Sequence, residues 1–263
     1  MKLQCQGLSV PGKPSIERAP FTGSKTTRDT PPPPKHYDLS MPRPTKLFSD
    51  RTRQEVEDAI FDAEQKTGAE IVVVVANRSG GYARVADVFG LACATAITLV
   101  LMWVFEDKES QWVFPARTHL HPAVILGVMI GAFALCTAIA DTSPAIVRTV
   151  AGPKRLSRHV DRAGPSWFQR LRVRRTQDRV GVMLYVSLFE KLVTIIPDDA
   201  FESIIAEHQL EPVRQRIQRA LNRGTLPTEL APAIQEAGDI LAKALPAPHK
   251  NMDELPNELH LID

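Results

Sequence analysis

Four carboxylates form the pattern nearest to chemistry in this chain of 263 residues: Asp178, Glu190, Asp198 and Asp199. Each stands at the end of an apolar run rather than within one. Asp178 precedes residues 180–188, Glu190 separates that run from residues 192–196, and Asp198 and Asp199 follow the second run. Carboxylates on neighbouring loops gather oxygen ligands for hard cations, so Ca2+ or Mg2+ is the cofactor this set would hold. No other cofactor is implied. Each acid also has a plain structural reading. Asp178 can pair with Arg175, Glu190 beside Lys191 can solvate a turn, and Asp198 or Asp199 can cap a helix.

Other catalytic signatures are absent. The sequence holds no GxGxxG, P-loop, HExxH or GxSxG, and no Cys/His set with ligand spacing. His208 has Glu207 and Glu211 nearby, but adjacent residues on a helix point apart, which favours a solvated face. His119 and His121 fall in a polar loop. Cys93 and Cys136 lie within apolar runs, where small apolar filling is expected and a bridge requires the runs to pack together. Arg78, Ser79 and Tyr82 follow a strand-like run, where ligands approach an open sheet.

The elements that must position these groups read as one α/β layer. Ser49 or Asp50 caps a helix along Val56, Ile60 and Ala63, which Gly68 stops. Residues 71–76 are an unbroken run, mostly β-branched, suited to a strand covered on both faces. Residues 180–188 and 192–196 follow as a hairpin. Helices are expected at Phe201, Ile204 and Ile205, at 213–221 before Asn222-Arg223-Gly224, and at 227–244. Residues 1–45, with Pro31-Pro32-Pro33-Pro34, form a disordered Pro-rich tail or an over-extended start upstream of Met41. They lack the apolar core of a secretory signal. Residues 247–263 are expected to be extended.

Residues 88–105 and 123–140 interrupt this layer. Each run is about 18 residues without a charge, the threshold for crossing a bilayer as a helix. Trp103, Phe105, Trp112 and Phe114 flank the polar connection, as aromatics do at a bilayer interface. Gly127 and Gly131 offer a small-xxx-small face for helix packing, and Gly90 and Ala94 a similar one. Arg78 and Arg84 precede the first run, and Arg148, Lys154, Arg155, Arg158 and Arg162 follow the second. The positive-inside rule then predicts an inner-membrane protein of two spans with both termini cytoplasmic. Residues 141–157 read as a basic linker. A basic helix over 166–177 presents Arg170, Arg172, Arg174 and Arg175, with Trp167 and Phe168, to the membrane surface. The partners expected are the lipid bilayer and a membrane protein. The net charge of +2 gives no reason to expect nucleic acid.

These residues, in order, resemble the TPM domain, found in thylakoid-lumen proteins linked to photosystem II repair and in many bacterial membrane and exported proteins. The pieces that carry the likeness are Thr67-Gly68-Ala69-Glu70-Ile71-Val72-Val73-Val74, Asp178-Arg179-Val180-Gly181-Val182-Met183-Leu184, Ser187-Leu188-Phe189-Glu190-Lys191 and Ile195-Ile196-Pro197-Asp198. Asp239-Ile240-Leu241-Ala242-Lys243-Ala244-Leu245-Pro246 and Asn251-Met252-Asp253-Glu254-Leu255-Pro256-Asn257 close the series. The likeness is to the bacterial branch in which two spans enter the domain after its first strand. It implies a three-layer α/β/α sandwich around a small sheet, built from residues 46–87 and 158–246 and split by a transmembrane hairpin at 88–140. It also implies a non-catalytic module that helps to assemble a membrane complex. The alternative it carries is a weak metal-dependent phosphatase-like hydrolase, because calcium binding and weak acid-phosphatase activity are attributed to relatives.

Overall fold

The computed structural model describes residues 43–104, 121–173, 180–198, 207–247 and 256–263. Most of the Pro-rich tail, the polar connection with Trp112, Phe114 and His119, and Asp178, Asp199, Arg174 and Arg175 lie outside the described residues. So does the helix expected at Phe201, Ile204 and Ile205.

Capping starts the fold. After the short helix α1 (Pro44–Leu47), the Ser49 side chain accepts a hydrogen bond from the Thr52 amide at 3.2 Å and opens α2 (Asp50–Lys66). Strand β1 (Glu70–Ala76) is buried along its whole length. The chain then enters α3 (Ala83–Val104) and α4 (Pro122–Thr142), followed by α5 (Pro144–Ala151) and α6 (Pro153–Arg170). Strands β2 (Gly181–Ser187) and β3 (Leu192–Pro197) form the expected hairpin. A 3-10 turn at Glu207–Leu210 leads into α7 (Glu211–Arg223) and α8 (Leu226–Ala244), and β4 (Leu259–Ile262) ends the series. Gly224, at φ 76°, adopts the left-handed conformation that closes α7.

The four strands make a mixed sheet in the order β3-β2-β1-β4. β1 runs parallel to both β2 and β4, while β2 and β3 are antiparallel. A parallel pair needs a crossover. Here the crossover from β1 to β2 carries both apolar helices, so they leave and re-enter the fold near the end of β1. Alternation assigns the two faces. Ile71, Val73, Val75, Leu184 and Val186 pack with Ile60 of α2, Ile217 of α7 and Leu230, Ile234 and Leu241 of α8. Val72, Val74, Ala76, Met183 and Tyr185 pack instead with Val160 and Phe168 of α6. An unbroken apolar strand is what burial on both faces requires.

Three expectations are corrected. The span 141–157 is not a linker, because Pro144 and Pro153 each open a helix and only Gly152, at φ 73°, breaks them. The basic helix runs over Pro153–Arg170 rather than 166–177. The end of the chain is not merely extended, since Leu259–Ile262 join the sheet beside β1.

Two helices are long and apolar enough to cross a membrane, over Arg84–Val104 and Pro122–Thr142, and only 22% and 6% of their apolar windows are buried. A core helix would be mostly covered. α3 and α4 pack against each other, through the Gly90 face expected on the first helix but not through the Gly127 and Gly131 face expected on the second. A side chain at Gly90 would collide with the Thr137 hydroxyl and lie 3.2 Å from the Phe133 carbonyl oxygen, whereas Gly127 and Gly131 face nothing within 4 Å. Cys93 and Cys136 are free thiols. Gly90→Leu therefore destabilises the hairpin by about 2 kcal/mol, the usual range for overpacking, while Gly127→Leu stays within about 0.5 kcal/mol of the parent. Unfolding of the purified chain in mixed micelles with rising dodecyl sulfate separates the two.

β4 is the edge strand and brings a titratable group with it. Burial pushes the His260 imidazole below its usual range and Arg53 adds to this, while Glu258 and Glu57 oppose. The folded chain thus binds this proton less readily than the unfolded chain does. The contribution is present above about pH 6.5 and is lost as pH falls through the folded value. Between pH 7.5 and 5.5 the unfolding free energy of the parent should fall more steeply than that of His260→Gln, as measured by urea titration at each pH.

Candidate functional site at the hairpin foot

The best-built polar centre among the described residues lies where β1 hands over to the first apolar helix. After β2 the chain keeps pairing with the end of β1: the Leu188 amide donates to Ala76 O and the Phe189 amide to Asn77 O, both at 2.9 Å. That register brings Glu190 under Ser79. Glu190 is 3% exposed. Its Oε1 accepts from the Ser79 amide at 3.0 Å and from the Tyr82 hydroxyl at 2.9 Å, and its Oε2 accepts from the Ser187 hydroxyl. The Ser79 hydroxyl donates to Ser187 Oγ at 2.8 Å and lies 3.0 Å from the Tyr185 hydroxyl. Tyr185 and Ser187 are fully buried.

Electrostatics keep both phenols protonated. Burial, then the Glu190 carboxylate, push the Tyr82 hydroxyl far above its ordinary range. Burial pushes Tyr185 up to about 12, with the Ser79 hydrogen bond opposing. Both remain donors at neutral pH. With each carboxylate oxygen already accepting, Glu190 ties the loop after β1 to the turn after β2. The turn's last residue, Lys191, sits at φ 53°, a conformation a non-glycine residue adopts at a cost. Around this network Tyr82, Val85, Val147, Leu156 and Phe189 form a small apolar cluster of their own. Its members come from the start of α3, from α5, from α6 and from the β2–β3 turn. The foot of the apolar hairpin is thereby fastened to the sheet. Gly80 is part of this fit, since a side chain there would strike the His159 ring.

Of the four acids expected to converge, Glu190 and Asp198 lie apart. Glu190 occupies the turn of the β2–β3 hairpin, whereas the Asp198 amide donates to Gly181 O at the opposite end. A strand of this length holds the two about 20 Å apart. Asp198 is buried, and Asp178 and Asp199 lie outside the described residues. Among the described residues no three or more His, Cys, Asp or Glu side chains come together as a metal ion would need. Glu190 is no solvated turn residue either. His208 is exposed, and Glu211 is held by Arg214 at 2.6 and 2.7 Å, which draws its carboxyl down to about 2 with Gln215 assisting.

The surface cations are also placed differently. α6 has His159 meeting Gly80 at the foot, and just beyond its end at Arg170, Val173 packs against Gly181 at the start of β2. Arg170 and Arg172 therefore sit at the far end of the sheet from α3 and α4. Phe168 is buried against the sheet, and Trp167 and Leu171 pack alongside it. The Arg170 guanidinium stacks over Trp167 at 5.0 Å. The apolar face of this helix packs against the sheet.

Sequence reading missed Ser79, Tyr185 and Ser187 as partners of Glu190. The available signal was a lone hydroxyl, Ser187, closing a strand that is otherwise apolar but for the Tyr185 hydroxyl.

No protein-family model matches the chain, and no curated protein matches it. A similar solved structure is the NMR structure of BA42 protein from the psychrophilic bacterium Bizionia argentinensis. It is 19% identical with a TM-score of 0.47, over 82% of this chain and 96% of that chain.

Proposed function

We propose that this chain is a membrane-anchored, non-catalytic module that binds a membrane-protein partner and helps to assemble or maintain its complex. In this reading residues 46–87 and 158–246 form a TPM-like three-layer α/β/α sandwich on the cytoplasmic side of the inner membrane. α3 and α4 are the two spans, and both termini are cytoplasmic. One observation carries the proposal: two exposed apolar helices rise from a foot that a buried carboxylate and an apolar cluster lock to the sheet. A flexible tether would need no such lock. A rigid one holds the sheet at a fixed height and angle over the bilayer, which suits docking against a neighbour in the same membrane. The arginines supply the sidedness, with Arg78 and Arg84 before the first span and Arg148 and Arg155 after the second.

Crosslinking in native membranes, followed by detergent extraction and purification through this chain, tests the reading. A membrane protein recovered in stoichiometric amount, and lost when Glu190→Ala loosens the foot, is expected. Recovery of the chain alone contradicts it.

A further inference from the structure

The two ends of the hairpin bring guanidinium groups to one place. Arg78 follows β1, and its Cζ lies 4.6 Å from the centre of the Phe189 ring and 5.8 Å from that of Tyr82. Arg148, on α5 just beyond the second span, lies 6.0 Å from the same Phe189 ring. Arg155, in the first turn of α6, adjoins Leu156 of the apolar cluster that contains Tyr82, and its charge weakly opposes the rise in the proton affinity of the Tyr82 hydroxyl. The His159 ring meets Tyr82 edge-on, with centroids 5.1 Å apart. Glu190 lies beneath this group, but its oxygens are already engaged by Ser79, Tyr82 and Ser187. No ion pair ties down Arg148 or Arg155 among the described residues.

Arg148 carries the strongest sign of a missing acceptor. Its Nε donates to the Pro144 carbonyl oxygen at 3.2 Å, yet its Nη1 is buried with no hydrogen-bond partner among the described residues. Burial also pulls its pKa down, and Glu190 only partly offsets this. Buried donors in folded proteins nearly always find an acceptor. An anion at this point would supply one and would stabilise the charge that burial disfavours. The guanidinium fork matches the geometry of a phosphate better than that of any point charge.

We propose that Arg78, Arg148 and Arg155 form a binding site for a phosphate-bearing anion, and that its occupant is the phosphodiester of an anionic lipid headgroup. The choice of a lipid rests on the membrane-anchor reading. Arg78 shortly precedes the first span and Arg148 shortly follows the second, so the cluster stands at the level where headgroup phosphates are concentrated. The site is separate from the Arg170 and Arg172 end of α6.

Native mass spectrometry of the full chain in neutral detergent tests this, with phosphatidylglycerol, phosphatidylcholine and inorganic phosphate as probes. One phosphatidylglycerol per chain should be retained, at least tenfold more tightly than phosphatidylcholine, whose choline group the arginines repel. Arg148→Gln should weaken phosphatidylglycerol binding tenfold or more. Arg155→Gln, at an exposed position, should weaken it several-fold and serves as the probe if Arg148→Gln does not fold. Arg170→Gln with Arg172→Gln should leave it unchanged. Equal binding of the two lipids, full competition by millimolar inorganic phosphate, or indifference to both foot substitutions overturns the proposal. A chain that needs no detergent to stay in solution refutes the anchor reading instead, so the two failures are distinct.

Discussion

Glu190→Ala lowers the unfolding free energy of the chain by about 4 kcal/mol, more than any other single substitution at the hairpin foot. Hydrogen bonds to a charged acceptor contribute about 1.5–3 kcal/mol each, and Glu190 accepts from Ser79, Tyr82 and Ser187. Against this, the alanine variant no longer needs to bury a carboxylate, which returns several kcal/mol. The lost acceptor then decides the sign. Ser187 is fully buried and Tyr82 is 3% exposed, so water cannot replace the carboxylate at either hydroxyl. Glu190→Gln keeps one acceptor oxygen and turns its amide toward Ser187, and it should lose about half as much. Urea titration followed by tyrosine fluorescence and by circular dichroism measures both variants. A loss below about 1 kcal/mol for Glu190→Ala would mean that the foot is held by its apolar cluster alone.

Gly238→Ala costs about 2 kcal/mol although it adds one methyl group to a helix. Gly238 lies where α8 crosses α2, and a Cβ there would come within 2.6 Å of Ala63 Cβ and 2.9 Å of Ala63 Cα. The second contact is with backbone, so no rotamer relieves it. The helices must separate, and the layer containing Ile60, Ile234 and Leu241 opens with them. A clash against backbone falls at the upper end of the overpacking range, about 3 kcal/mol, against which the better helix propensity of alanine returns about 1 kcal/mol. The net loss is read from the shift in the urea midpoint at unchanged slope. A stabilised Gly238→Ala would show that α2 and α8 are not in contact at this point.

Residues whose local chemistry has a single answer were legible in the sequence. Ser49 caps α2, Gly224 closes α7, and the unbroken runs of β1 and β2 lie buried on both faces, because capping, left-handed backbone and apolar continuity leave few alternatives. β4 was not legible, since four residues beyond an acidic, Pro-rich stretch gain strand structure only from the edge of β1. The basic helix was misplaced because Pro165 and Gly164 look like breaks, yet tertiary packing keeps the helix whole through Pro165 and on to Arg170. Glycine spacing named the wrong face of the second apolar helix, because a spacing cannot say which side meets a partner. Beside Lys191, Glu190 reads as a solvated turn residue, and it is instead buried. Its position at a turn suggested water, and only the register that continues β2 past Ser187 shows that it is covered.

Extraction of membranes with alkaline carbonate, from cells making the whole chain, bears most directly on the central claim that lipid surrounds α3 and α4. The chain should remain in the sediment after carbonate and high salt and enter solution only with detergent. Release into the supernatant by carbonate alone would contradict it, and with it the cytoplasmic placement of the sheet and the lipid site at the foot.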